Sequence, residues 1–333
     1  MMQYRKGYTM DKVRWGIIGC GDVTEVKSGP GFQKADNSEL VAVMRRNGEL
    51  AKDYAMRHHV PKWYDDADEL INDPDVDAVY IATPPAFHKE YTLQCAKVGK
   101  PVYVEKPMAL NFDECNTMIS ACKESNVPLY VAYYRRGLPR FNKIKELIEE
   151  GAIGEVRCVT VRNDQELITP NEKGELPWRV DPKTAGGGIF FDIGSHTLDI
   201  LDYILGPIKE VHGHASNQGR TYLAEDIVSG EFVFESGVHG TGMWCFNTFE
   251  RVDMNTIVGS KGRLEFSTFG SEPIRLTTES GVKSYEITNP THIQQPLIQM
   301  IINDLIGKGE SPSTGVTGSR TSWVMDEMVK GYR

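Results

Sequence analysis

The sequence has no apolar run approaching about 18 residues, so nothing in it reads as a membrane-spanning helix. It has no basic stripe. Its 37 Lys and Arg stand against 46 Asp and Glu, a net charge of −9, which speaks against a general nucleic-acid binder. It has no C-x-x-C pair. The six cysteines (Cys20, Cys95, Cys115, Cys122, Cys158 and Cys245) are scattered and read as buried or neutral thiols in a reducing compartment. No third His or Cys lies near His212 and His214, so this pair reads as the outward polar face of a strand rather than a metal site. His58 and His59 read as a solvated helix end. There is no internal repeat and no low-complexity linker. Residues 1–12 lack the apolar core of a signal peptide and read as a short polar tail on a cytoplasmic protein. What remains is an ordinary globular composition, 40% hydrophobic and 25% charged, over 333 residues, enough for two domains.

The chain is organised around residues 13–24. Val13, Trp15, Ile17 and Ile18 read as a short buried strand. Gly19, Gly21 and Thr24 follow at G-x-G-x-x-G/A spacing, with Thr24 in place of the usual third small residue. The first glycine suits a sharp turn, and the second suits close approach of backbone N–H groups to a pyrophosphate. A helix starting near Asp22 would point its positive end at that anion. Gly19, Cys20, Gly21, Asp22 and Val23 are therefore candidate cofactor-binding residues.

Further strands read at 39–45, 77–82, 101–104 and 128–133, with helical patterns at 49–59, 88–99 and 112–126 between them. Short valine-rich strands separated by helices of this length mean βαβ units and a parallel sheet, with ligands at the carboxyl ends of its strands. Arg45 and Arg46 stand at the end of the second strand, where an acidic residue would hold a free ribose. A guanidinium there suits a 2′-phosphate, so NADP is expected, with NAD as the alternative. The loop carrying Thr83, Pro84 and His88 is stiffened by its prolines, and Glu105-Lys106-Pro107 follows the next strand.

The second half changes pattern. A helix reads over 138–150, followed by strands at 155–163, 208–217, 226–236, 238–247, 253–260 and 262–268, an antiparallel sheet with one face packed. Val156, Val159, Val233, Val238 and Met243 supply apolar positions beyond what one helix layer covers, and a homodimer or homotetramer is expected. Helices at 294–309 and 320–331 return toward the first domain. Between the first two of those strands, Gly186, Gly187 and Gly188 precede a helical stripe on which Asp192 and His196 sit four apart, one turn up the same face. The glycines would let a ligand approach closely. Asp192, His196 and Lys106 are the candidate catalytic residues. Histidine has an ordinary pKa near neutrality and suits proton transfer; Asp192 would orient it or hold a neighbouring hydroxyl, and Lys106 would steady charge on a substrate oxygen or serve as the base itself.

The glycine loop, T-P-P-x-x-H at 83–88, E-K-P at 105–107 and A-G-G-G-x-x-x-D-x-x-x-H at 185–196 together resemble the Gfo/Idh/MocA oxidoreductases, over about residues 13–330. The resemblance implies a Rossmann domain (13–134) and an α+β domain with an open antiparallel sheet (135–333) that carries substrate binding and oligomerisation. It implies that Lys106, Asp192 and His196 line a sugar pocket beside the nicotinamide. It also places Trp178 and Arg179 near cofactor and substrate, alongside Thr83, Pro84, His88, Glu105 and Lys106. Tyr134 stands where relatives often have Asn. Three function classes follow: an NAD(P)-dependent dehydrogenase or reductase of a sugar, polyol or cyclic diol; an NAD-dependent glycosidase using transient oxidation; and a non-catalytic NADP-binding sensor. Arg45 and Arg46 disfavour the second, and an intact Lys106, Asp192 and His196 disfavour the third.

Overall fold

The structure is a computed structural model that describes residues 10–332; positions 1–9 of the expected tail lie outside the described residues. The chain divides into two compact units. One is the chain to Leu138 with Pro290–Ser319, and the other is Pro139–Asn289 with the chain from Arg320.

The first unit is built on six strands: β1 (Val13–Ile18), β2 (Ser38–Met44), β3 (Lys62–Tyr64), β4 (Ala78–Ile81), β5 (Val102–Val104) and β6 (Leu129–Val131). Every ladder is parallel, in the order β3-β2-β1-β4-β5-β6. That is the Rossmann order, with its ligand edge at the carboxyl ends of the strands. The apolar runs explain it: Val13, Trp15, Ile17 and Ile18 are fully buried, and each such large side chain contributes roughly 1.5–3 kcal/mol. The helices are α1 (Asp22–Val26), α2 (Gly29–Lys34), α3 (Gly48–Arg57), α4 (Ala67–Asn72), α5 (His88–Lys97) and α6 (Phe112–Glu124). Side-chain caps start three of them, with Asn47 accepting from the Leu50 N–H, Asp66 from Asp68 and Asn111 from Glu114.

The helix expected from Asp22 is only five residues long. It breaks at Ser28, and α2 begins with Gly29 and Pro30, whose ring removes the N–H a continuous helix needs. The reading of a solvated helix end holds for His59, which is exposed, and is corrected for His58. His58 stacks on Tyr54 at 4.1 Å between centroids, and its Nε2 lies 2.7 Å from a Glu25 carboxylate oxygen.

The second unit contains α7 (Pro139–Glu149), β7 (Val156–Asp164), α8 (Pro182–Ala185), α9 (Ser195–Leu205), β8 (Ile208–Ser216), β9 (Ile227–Phe234), β10 (His239–Cys245), β11 (Val252–Gly259), β12 (Gly262–Phe266), β13 (Ile274–Thr278) and β14 (Gly281–Tyr285). Its sheet runs β14-β13-β12-β11-β7-β10-β9-β8. The expected antiparallel sheet is in fact mixed, because β7 and β10 pair in parallel. The cause is the long crossover carrying α8 and α9. It delivers the chain to the far edge at β8, and the meander back through β9 brings β10 alongside β7 in the same direction. Alternation along these strands sends Val159, Trp244 and Ile257 into the core, while Met243 and Met254 remain 40% and 43% exposed. Val159 and Val238, expected to leave apolar surface for self-association, are buried within the unit.

Two helices complete the chain, α10 (Gln295–Leu305) in the first unit and α11 (Gly315–Val329), whose residues from Arg320 belong to the second. α10 packs on α2 and on the turn Tyr134–Gly137. The approach is close: a Cβ at Gly137 would lie 2.8 Å from the Leu297 nitrogen, and one at Gly31 2.9 Å from Ile298 Cδ1. Among the described residues no helix is long and apolar enough to cross a membrane.

Candidate active-site residues

On the ligand edge of the first unit, β1 ends in a turn made possible by Gly19, whose φ is +90°. The N–H groups of Gly19 and Cys20 both donate to the Met44 carbonyl, at 2.8 and 3.1 Å, so this turn is anchored to the end of β2. Above Gly21 there is open space: a Cβ there would meet only the Gly19 carbonyl oxygen, at 3.9 Å. The N–H groups of Asp22 and Val23 lie in the first turn of α1 and have no intrahelical acceptor. Thr24 does more than fill the third motif position. Its Oγ1 accepts from the Gly21 N–H at 3.0 Å and donates to the Gly21 carbonyl at 2.8 Å. The close-packed glycine is instead Gly29, where a Cβ would strike the Thr24 carbonyl and the Tyr54 hydroxyl.

Thr83 Oγ1 is buried without a hydrogen-bond partner, and a Cβ on Gly19 would lie 2.9 Å from Thr83 Cγ2. An open glycine face, first-turn N–H groups and an orphaned hydroxyl beside the turn are groups a dinucleotide would satisfy, so the residues present fit such a cofactor. Arg45 and Arg46 are both exposed at the end of β2. Arg46 lies over the Phe87 ring, 5.2 Å from its centroid, and shares a depression of about 260 Å³ with Asp65, Asp66, Asp68 and Glu90.

Two of the expected cofactor contacts face the protein instead. His88 is completely buried, with Nε2 2.7 Å from the Thr83 carbonyl and Nδ1 3.1 Å from that of Pro107. Burial pushes its pKa below the ordinary value. It clasps the loop at Thr83 to the loop at Pro107 and presents no surface to a ligand. Glu105 is 7% exposed, and its carboxylate accepts from the Tyr80 hydroxyl, the Gln294 amide and the Lys106 N–H. Lys106, the next residue, is half-buried at the end of β5, and Pro84 is half-buried after β4.

In the second unit, Trp178 and Arg179 stand on a short 3-10 turn, Trp178–Val180. Both are exposed, and the guanidinium lies 4.7 Å from the Trp178 ring centroid. Arg179 Nε is 3.2 Å from Asp192 Oδ2. Two of the three glycines serve packing rather than ligand access, which corrects the sequence reading, and Gly186 ends α8 in a left-handed conformation with φ +88°. A Cβ at Gly187 would strike the Phe191 ring, one at Gly188 would strike the Glu225 carbonyl, and the Gly188 N–H donates to Glu225 Oε1 at 2.7 Å. Asp192 and His196 do not lie on one uniform α-helix. Phe190–Gly194 forms a wider π turn, and α9 begins only at Ser195. His196 is 5% exposed, with its ring edge-on to Phe269 at 5.6 Å. Phe269 carried no signal in the sequence. It is held there by Asp253, which accepts the N–H groups of Thr268, Phe269 and Gly270. Among the described residues no cluster of three or more His, Cys, Asp or Glu is placed to hold a metal.

Residues 13–133 match the model of the oxidoreductase family with NAD-binding Rossmann fold, and residues 141–265 match the GFO/IDH/MocA C-terminal domain. An oxidoreductase of Formosa agariphila is 40% identical over 95% of this chain and 98% of its own length. The 1,5-anhydro-D-fructose reductase of Ensifer adhaerens is 29% identical over 92% of each chain. Among solved structures, the aldose-aldose oxidoreductase of Caulobacter crescentus, complexed with glycerol, is 25% identical. It superposes with a TM-score of 0.84 over 96% of this chain and 98% of its own. The chain belongs to the Gfo/Idh/MocA family of oxidoreductases, and its activity is that of an NAD(P)-dependent dehydrogenase or reductase.

Proposed function

We propose that the protein moves a hydride between NADP and an alcohol carbon of a carbohydrate-like substrate (a sugar, polyol or cyclic diol). The observation that carries the cofactor choice is Arg45, exposed at the carboxyl end of β2 with its main-chain N–H tied to the Tyr64 carbonyl at 3.2 Å. Four carboxylates around the depression at Arg46 offset that residue's charge, so Arg45 is the better partner for a 2′-phosphate. The nicotinamide, when bound, accepts or supplies the hydride. The turn at Gly19, Cys20 and Gly21 leaves room for the cofactor's pyrophosphate, which the first-turn N–H groups of Asp22 and Val23 would hold, with the Thr83 hydroxyl and Pro84 beside them. His196 exchanges the proton of the reacting hydroxyl through its imidazole, and Asp192 holds a neighbouring hydroxyl or orients that ring. The Lys106 ammonium steadies negative charge developing on the substrate oxygen. Trp178 and Arg179, beside Asp192, contribute to holding the substrate.

The carbohydrate class is supported by the relative that reduces 1,5-anhydro-D-fructose. The test is a panel of sugars, polyols, cyclic diols and 1,5-anhydro-D-fructose, followed at 340 nm with NADP(H) and with NAD(H). Net cofactor turnover with one of these compounds, faster with the phosphorylated cofactor, is the expected result. Turnover of a glycoside with no net change in nicotinamide would replace this reading with the glycosidase one.

A further inference from the structure

Gln294 stands immediately before α10 and is 1% exposed. Both ends of its amide are used. Nε2 donates to Glu105 Oε1 at 2.8 Å, and Oε1 accepts from the Tyr103 hydroxyl at 3.2 Å. Its main-chain N–H donates to the carbonyl of Lys27, just after α1, at 3.3 Å. Glu105 Oε1 takes a second donor, the Tyr80 hydroxyl, at 2.6 Å, and Oε2 accepts the Lys106 N–H at 3.0 Å. Tyr80 and Tyr103 are wholly buried and stacked, 4.9 Å between centroids.

A carboxylate in a core is more costly than an apolar side chain of equal size, even when its lone pairs find donors. A strand end that only needed packing would not carry one. Here the carboxylate grips the peptide of Lys106, and Gln294 and Tyr80 hold the carboxylate in turn. Gln294 cannot rotate its amide without losing a bond at each end, so the chain of contacts has one geometry. We propose that Gln294 is a positioning residue for Lys106, acting through Glu105. The same residue, by its N–H to Lys27, joins the end of the glycine-loop helix to the loop of the lysine. This proposal rests on the catalytic reading of Lys106 given above.

The test uses the full chain saturated with NADPH. Gln294→Met keeps the length of the side chain and removes both amide bonds. Tyr80→Phe removes the other donor to Glu105 Oε1 and carries the test if Gln294→Met does not fold. Labelling with acetic anhydride, read by mass spectrometry, compares Lys106 with the exposed Lys52 and Lys97 and needs no substrate. Lys106 labelling is expected to change relative to both standards. With 1,5-anhydro-D-fructose as probe, kcat is expected to fall roughly 10- to 100-fold while the KM for NADPH stays within about twofold. A folded variant with unchanged Lys106 labelling and unchanged kcat would overturn the proposal and leave Gln294 as a structural clasp. Full activity in Lys106→Met would instead overturn the catalytic reading on which the proposal stands.

Discussion

Arg179 Nε lies 3.2 Å from Asp192 Oδ2, and the same guanidinium covers the Trp178 ring at 4.7 Å. Arg179 is about half exposed, so the pair contributes no more than about 1 kcal/mol to folding. Its effect is to fix the direction of a carboxylate. Arg179→Gln is expected to leave Tm nearly unchanged while lowering kcat/KM about fivefold, the factor that corresponds to about 1 kcal/mol. Thermal melts beside steady-state kinetics check this. A lower Tm with unaltered kcat/KM would show that the pair only stabilises the fold.

Lys106→Ala and His196→Ala are each expected to lower kcat by roughly two to four orders of magnitude. Affinity for NADPH, read by its fluorescence, should change far less, because the loop from Gly19 to Val23 is untouched. If His196→Ala keeps turnover and Lys106→Ala loses it, the proton is handled by the lysine. If both keep turnover, the catalytic assignment is wrong.

Arg45→Asp should weaken NADPH by about 1.5–3 kcal/mol, the loss of a charge-assisted contact to phosphate. NADH should change much less. Equal dissociation constants for the two cofactors in the unaltered protein would remove the basis for this choice.

Glu25 sits between Arg57, at 2.8 Å, and His58, at 2.7 Å. Hydrogen bonds from Arg57 first, and then from His58, hold its pKa down to about 2 from an ordinary 4.5. A depressed carboxylate pKa adds stability that is fully present above the unfolded value and is lost as pH falls through the folded one. Glu25→Gln should therefore be less stable than the native sequence at pH 7. The gap should begin to close below about pH 4.5 and vanish near 2. Urea unfolding at a series of pH values measures this, and a gap independent of pH would contradict it.

Met243 and Met254 both pair with Arg162, from either side of β7, and both are exposed. Self-association through this sheet face is expected to give a dimer or tetramer by light scattering at micromolar concentration. Met243→Asp combined with Met254→Asp should reduce the mass, since two desolvated carboxylates would oppose burial of the face. A monomeric mass for the unaltered protein would dismiss the idea.

The central strands of the first unit were legible because a parallel strand covered on both faces must be largely apolar, as β4, β5 and β6 are, and as β1 and β2 are apart from Arg14, Ser38 and Glu39. β3, β13 and β14 were not. They are short or half-exposed, and only neighbouring strands make them strands. The lysine of E-K-P and the Asp192–His196 pair could be singled out because their residue types and spacing already suit proton transfer. The geometry of that pair could not be read, because a π turn and an α turn look alike in spacing.

The sequence by itself determined where backbone conformation or continuous burial leaves few choices: the turn at Gly19, the parallel sheet and the arginines that end β2. Only the tertiary structure decided which way the polar side chains face. Glu105 and His88 stand on the ligand edge by position, yet both turn inward. The side-chain partners of Glu105 come from residues 25 and 189 positions away in the chain. A buried polar group must find its donors wherever the fold brings them, and no local pattern records a partner that distant.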